Sequence, residues 1–201
     1  MIASCSANAN QGDASPLKKH AHTLSNSERI RKKFGSYGIE VLENDSGIRV
    51  SSLYSTHGGE RINRTFAVVA YPDVIEPAFR EEHDAIVKGQ SIGTVFENSG
   101  WDIEKHHQYF GETETPQDHF SVSSHAGDTR MARSAIHVYT LVVKKGDSSF
   151  QYASIAEIHH PEFLQLEDLA AIYGLEFENH QVEKNKLGDF LNIVKSRLTS
   201  L

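Results

Sequence analysis

Two β-forming segments joined by a tight turn constrain this chain more than any other feature. Met131–Lys144 is rich in Val, Ile, Thr and Tyr, whose branched or aromatic side chains suit a pleated strand. Lys145-Gly146-Asp147-Ser148 supplies turn chemistry, and Phe150–His160 follows as the returning strand. Pro161 cannot donate to an interior ladder, so that strand ends near His160. With a period of two, Ala153, Ile155, Glu157 and His159 share one face, and Tyr152, Ser154, Ala156 and Ile158 share the other. Glu157 is thus an acid in apolar company. A buried carboxylate without a partner is costly, so the rest of the chain must supply whatever Glu157 faces.

Further strands pair through short turns. Ile39–Glu43, Ile48–Ser55 and Arg61–Tyr71 read as strands, separated by Asn44-Asp45-Ser46-Gly47 and by Thr56-His57-Gly58-Gly59-Glu60. Asp102–Phe110 reads as another. Ser25-Asn26-Ser27-Glu28 carries a small polar cap followed by an acid, which predicts a helix over Ser27–Phe34 stopped by Gly35 and Gly38. Val74–Lys88 is helical in pattern, with Ile75, Phe79, Ala85 and Ile86 as its inner stripe. Thr94–Asn98 is a short helix or strand. Leu164–Tyr173, with Gly174 as a C-cap, and Lys186–Leu198 are amphipathic helices. Gly111–Asp128 is polar, contains Pro116 and Gly127, and reads as a long loop. Residues 1–24, rich in small and polar types, read as a flexible lead. The expected fold class is α+β: an antiparallel sheet of about six strands with flanking helices, as one domain over residues 25–201 with a C-terminal helical extension.

Charge and motifs narrow the function classes. The net charge is −7 and no basic block occurs, which argues against a nucleic-acid surface. No run of about 18 apolar residues is present, so no membrane-spanning helix is expected. The sequence has no Walker loop, no Gly-x-Gly-x-x-Gly and no Gly-x-Ser-x-Gly elbow. The lone cysteine, Cys5, follows Ile2-Ala3-Ser4 and precedes a small, polar tether, which resembles a bacterial lipoprotein cleavage site. Lipidation of Cys5 would require an apolar segment upstream of Met1 and would place the protein in the cell envelope. If Met1 is the true start, a cytoplasmic protein with no membrane contact is expected. Two doublets, His106-His107 and His159-His160, each follow a glutamate by two residues (Glu104 and Glu157). One histidine from each with Glu157 would suit zinc, but no HExxH or Cys-x-x-Cys accompanies them, and no metal or cofactor is expected.

Arg49 lies between Ile48 and Val50 on the second strand, where a cation is paired, binds an anion or faces solvent. Arg49 and Glu157 therefore make an Arg and a carboxylate on separate strands that can face one cavity. From about Ser27 to Pro161 an ordered series of motifs resembles the chorismate lyase family, whose fold is shared by the UTRA ligand-sensing domains of bacterial regulators. Ile30-Arg31-Lys32-Lys33-Phe34 is similar to its first helix. Ile48-Arg49, followed fifteen residues later by Arg64-Thr65, is similar to its hairpin ending in an Arg-Thr pair. Ser91-Ile92-Gly93 is similar to its Pro-Leu-Gly turn, and Glu157-Ile158-His159-His160-Pro161 to its Glu-hydrophobic-x-x-Pro strand end.

The resemblance implies a small anionic ligand, an aromatic carboxylic acid, in one pocket. It implies that Arg49 grips the ligand carboxylate, that Glu157 contacts a hydroxyl or ether oxygen, and that Ile92, Gly93 and Ile30 line the pocket. Arg64 would brace the hairpin or touch the ligand. Chorismate lyases split chorismate into 4-hydroxybenzoate and pyruvate without a cofactor. The residue types suit this, because Arg can hold a planar carboxylate through two parallel hydrogen bonds and a carboxylic acid can protonate a leaving oxygen. The chain departs from the family in its short Phe34–Arg49 interval, its Gly111–Asp128 segment, its residues after Pro161 and its two histidines after Ile158. The alternative expectation is a non-catalytic binding protein that keeps the pocket, as the UTRA sensors do, or such a protein lipid-anchored in the envelope.

Overall fold

The computed structural model describes residues 24–120, 130–174 and 184–199. Strands β1 (Gly38–Asp45), β2 (Ile48–His57) and β3 (Glu60–Ala70) form one meander, and β4 (Asp102–Pro116), β5 (Met131–Lys145) and β6 (Ser148–His159) form a second. The meanders join where β3 pairs with β6, giving a six-stranded sheet of order β1-β2-β3-β6-β5-β4 in which every neighbour is antiparallel. The described helices are α1 (Asn26–Phe34), α2 (Arg80–Val87), α3 (Ile92–Asn98), α4 (Leu166–Tyr173) and α5 (Lys184–Thr199). The protein is therefore an α+β fold built on an antiparallel sheet. Cys5 and the rest of the N-terminal lead lie outside the described residues. Among the described residues no helix is long and apolar enough to cross a membrane.

The alternation along the central strands separates two layers. Val50, Phe66, Val68, Ile136, Val138, Ala156 and Ile158 face the back, where Phe190, Val194 and Leu198 of α5 cover them. Val69, Tyr139, Leu141 and Ile155 face the front and pack with Phe79, Ile86, Phe96 and Trp101 from the segments around α2 and α3. Beside them Ile30 of α1 sits with Leu53, Ala67 and Phe163. The start of α1 is fixed locally. Ser25 Oγ accepts from the Glu28 amide, and the Glu28 carboxylate accepts from the Ser25 amide at 2.7 Å. This reciprocal cap satisfies two donors that a helix start would otherwise leave free. Gly35, at φ 78°, ends the helix in the left-handed region that glycine tolerates.

Three sequence readings are corrected. The segment from Gly111 begins not as a loop but as the last six residues of β4, pairing through Pro116 with Met131. Its polarity is that of an edge strand: Glu112 and Glu114 are exposed while Thr115 is buried against β5. Gln117–His119 then forms one 3-10 turn, Phe120 is buried beside Phe66, and residues 121–129 lie outside the described part. Second, the helix expected from Val74 begins only at Arg80, after a 3-10 turn over Pro77–Phe79, while Thr94–Asn98 takes the helical one of its two readings. Third, Tyr152 leaves the face that alternation gives it. Leu141 pairs with Ala153 but Val142 with Gln151, so Tyr152 is the extra residue of a β-bulge. Its ring turns to the front, 4.7 Å from Phe96 and 5.5 Å from Phe79.

Candidate functional site

Strand register brings the polar residues of the front face together. Arg49 pairs with Val69, which pairs with Ile155; Ser51 pairs with Ala67, which pairs with Glu157. Glu157 continues to His137 on β5, and Ile155 to Tyr139, which pairs with His107 on β4. Arg49 and Glu157 are therefore two strands and two residues apart, about 12 Å between Cα atoms from standard strand spacing. Between them lies a cavity of about 500 Å³. Its floor is the front of the sheet, and its rim is the start of α1 (Leu24 to Ser27), the start of α3 (Ser91 to Gly93) and the end of α4 (Ile172 and Tyr173).

Arg49 is 1% exposed. Its Nε donates to Ser51 Oγ at 2.9 Å, and its Nη1 donates to Ile86 O at 2.9 Å and Gln90 O at 3.1 Å. Those carbonyls lie at and just beyond the C-terminal end of α2, whose dipole favours a cation, and Ile86 O also accepts from the Gly89 amide at 2.9 Å. No carboxylate of the described residues lies within ion-pair distance of the guanidinium. Tyr71 stands next to it, its phenol raised by burial despite the opposing pull of Arg49.

Glu157 is 6% exposed and meets three groups. Asn26 Nδ2 donates to Oε1 at 3.4 Å, Lys105 Nζ lies 3.7 Å from Oε2, and His137 Nδ1 lies 3.9 Å from the same oxygen. Lys105 also stands 4.2 Å from the centre of the Tyr139 ring, within cation–π range. Burial pulls the Lys105 ammonium down, but attraction to Glu157, aided by Tyr139 and Tyr173, outweighs it and leaves the pKa raised. Burial raises the Tyr139 and Tyr173 phenols. Burial, and then Lys105 and His107, push His137 far below the ordinary histidine value. His107 is lowered by burial, Lys105 and His106. Burial, opposed by Glu157 and reinforced by Lys105, takes His159 down to about 4.

Of the residues singled out from sequence, Arg49, Glu157, Ile92 and Gly93 line this one cavity. Ile30 and Arg64 are not among its lining residues. Ile30 is fully buried in core packing, one turn beyond Asn26 and Ser27, which do line it. Arg64 is the extra residue of a bulge, since Leu53 pairs with Thr65 but Tyr54 with Asn63. Its guanidinium lies 3.7 Å over Phe34, donates to Ser55 Oγ at 2.9 Å and reaches Glu162 at 3.9 Å, so it ties α1 to the sheet. The histidine doublets divide as strand neighbours do. His107 faces the cavity while His106 turns outward to Glu104; His159 meets Thr65 Oγ1 at 3.0 Å while His160 accepts from the Glu162 amide. Among the described residues no group of three His, Cys, Asp or Glu is arranged to hold a metal ion.

Sequence reading missed Lys105, Tyr139, Tyr173, Asn26 and the His107–His137 pair. Parity was the signal available: Ile103, Lys105 and His107 share a face, as do His137, Tyr139 and Leu141. The arrangement offers an unneutralised buried cation at one end, a Lys–Glu pair with phenols at the other, and aliphatic walls between. It can hold an amphipathic anion and exchange hydrogen bonds with a hydroxyl or ether oxygen. No protein-family model matches this chain, and no curated protein matches it.

Proposed function

We propose that this protein binds a small aromatic carboxylate in the cavity, on a chorismate lyase-like fold. Arg49 is the carboxylate anchor and Glu157 belongs to the polar end. One observation carries the reading: Arg49 is a buried cation that no carboxylate of the described residues neutralises, on the wall of a cavity otherwise rich in apolar side chains. An isolated buried charge is costly, and a ligand carboxylate would supply the missing counter-charge. Lys105, the other lining cation, already has Glu157 as its partner. Ile39, Leu53, Val69, Ile92, Leu141 and Ile155 suit a planar apolar body, and a volume of about 500 Å³ lies within the range of small-molecule sites.

Lysis of chorismate is the second reading, favoured by the presence of an acid and an arginine on the walls of one cavity. In it Arg49 holds a carboxylate while Glu157 protonates the departing ether oxygen. Incubation with chorismate, followed by thermal melts with aromatic acids, separates the readings. A saturating aromatic acid should raise the melting temperature by about 5–10 °C at 100 times its Kd, and Arg49→Lys should lose most of that rise. Formation of 4-hydroxybenzoate that falls at least about 100-fold in both Arg49→Ala and Glu157→Ala would establish the lyase. Stabilisation without product would leave the binding protein. Neither product nor stabilisation would overturn the carboxylate pocket.

A further inference from the structure

His137 is a buried titratable group to which the carboxylate pocket gives no task. It is fully buried on β5, directly opposite Glu157. Among the described residues its Nδ1 has no hydrogen-bond partner, and it lies 3.9 Å from Glu157 Oε2. Its Nε2 lies 2.8 Å from Nδ1 of His107, which lines the cavity. Phe110 stacks on the ring at 4.3 Å with planes 10° apart, and Tyr173 packs at 4.9 Å.

A 2.8 Å contact between two imidazole nitrogens places one proton between them. Two registers satisfy it. In the first, His107 Nδ1–H donates to His137 Nε2, so the ring proton of neutral His137 sits on Nδ1 and faces the Glu157 carboxylate. In the second, His137 Nε2–H donates to His107 Nδ1, and His137 turns a bare Nδ1 lone pair toward Glu157. The second is favourable only when Glu157 carries a proton to share. The register of the pair is thus coupled to the charge of Glu157.

We propose that His137 and His107 form a proton relay joining Glu157 to the cavity, with His137 as a positioning residue for the acid. Once Oε2 and Nδ1 close from 3.9 Å to hydrogen-bond distance, the O–H bond at Glu157 Oε2 breaks as N–H forms at His137 Nδ1. The His137 Nε2–H bond breaks as His107 Nδ1–H forms. The proton on His107 Nε2 leaves to water or to a basic oxygen of the ligand. Both rings end neutral with their tautomers exchanged, and the reverse sequence reloads Glu157. The charged and titratable groups around the relay are Lys105 and His106 of β4, Tyr139 of β5, His159 of β6, Tyr173 of α4 and, through His159 and Tyr173, Arg29 of α1. Burial and Lys105 oppose a positive charge on either ring, which favours transfer through tautomers over a stable imidazolium.

The relay rests on Glu157 being the functional acid of the pocket, but its test reads the ligand-free protein and so fails or stands apart from ligand binding. The full chain, labelled with 15N in its imidazoles, is examined by long-range 1H–15N correlation near neutral pH. Wild type should show His137 and His107 both as Nδ1–H tautomers, and Glu157→Gln, standing in for the uncharged acid, should switch both to Nε2–H. A wild type with either ring protonated only on Nε2, or a folded Glu157→Gln protein with unchanged tautomers, would overturn the relay. If Glu157→Gln does not fold, acid titration of wild type serves instead. The Glu157 carboxyl 13C shift and both ring tautomers should then change at one midpoint, and separate midpoints would overturn the coupling.

Discussion

Arg49 and Glu157 occupy the same face because both strands keep strict alternation between the positions that matter. In the sequence these residues, 108 positions apart, stand out as an Arg and a carboxylate on separate strands that can face one cavity. Lys105 shares the parity of Ile103 and His107, but the register shift between His107 and Tyr109 hid which residues it would oppose. The acid thereby acquired a cationic neighbour from two strands away, a pairing that parity within β4 alone does not give. The buried histidines make a prediction at this scale. An unfolded histidine titrates near 6.5, while folded His159 lies down at about 4. Between those values the unfolded chain binds a proton that the folded chain refuses, so stability rises with pH across the window and is lost as pH falls. The slope is about 1.4 kcal/mol per pH unit for this residue. His137, displaced in the same direction, adds to it. Urea unfolding of wild type and His159→Asn at about pH 7.5 and about pH 4.5 checks this, and the variant should lose about 2–3 kcal/mol less on acidification. An equal loss in both would remove His159 as a source of acid sensitivity.

The elements were readable where β-forming residues ran together, as in β5, or where a cap marked a start, as in α1. They were misread where polarity and pairing disagreed. The stretch from Gly111 looks like a loop by composition, yet it pairs with β5 as an edge strand whose exposed Glu112 forms an ion pair with Arg133 of β5. A bulge accounts for the misplaced face of Tyr152, since an inserted residue leaves hydrophobicity unchanged while reversing a side chain. The cap of α1 links element to site, because Ser25, Asn26 and Ser27 both start the helix and close the cavity. Ser25→Ala should therefore lower stability by about 1 kcal/mol and also weaken aromatic-acid binding. A melt with and without saturating ligand reads both effects. Unchanged ligand stabilisation in a variant that has lost the cap would show that the start of α1 is not a working wall of the pocket.

The whole molecule is two meanders joined at β3 and β6, with α5 closing the back and the shorter helices leaving a cavity on the front. The overall class followed from the sequence because hairpins dominate the chain, and hairpin-connected strands give an antiparallel sheet. The cavity did not follow, because its walls come from all six strands and three helix ends that only the assembled sheet brings together. The central claim, that this space is built around the unneutralised charge of Arg49, is open to one direct measurement. Calorimetric titration would compare 4-hydroxybenzoate with its neutral isostere 4-hydroxybenzamide in wild type and in Arg49→Gln. The acid should bind wild type at least about tenfold more tightly than the amide, a difference of about 1.4 kcal/mol, and the preference should vanish in the variant. Equal affinity of acid and amide for wild type, or a preference that survives the loss of Arg49, would contradict the account.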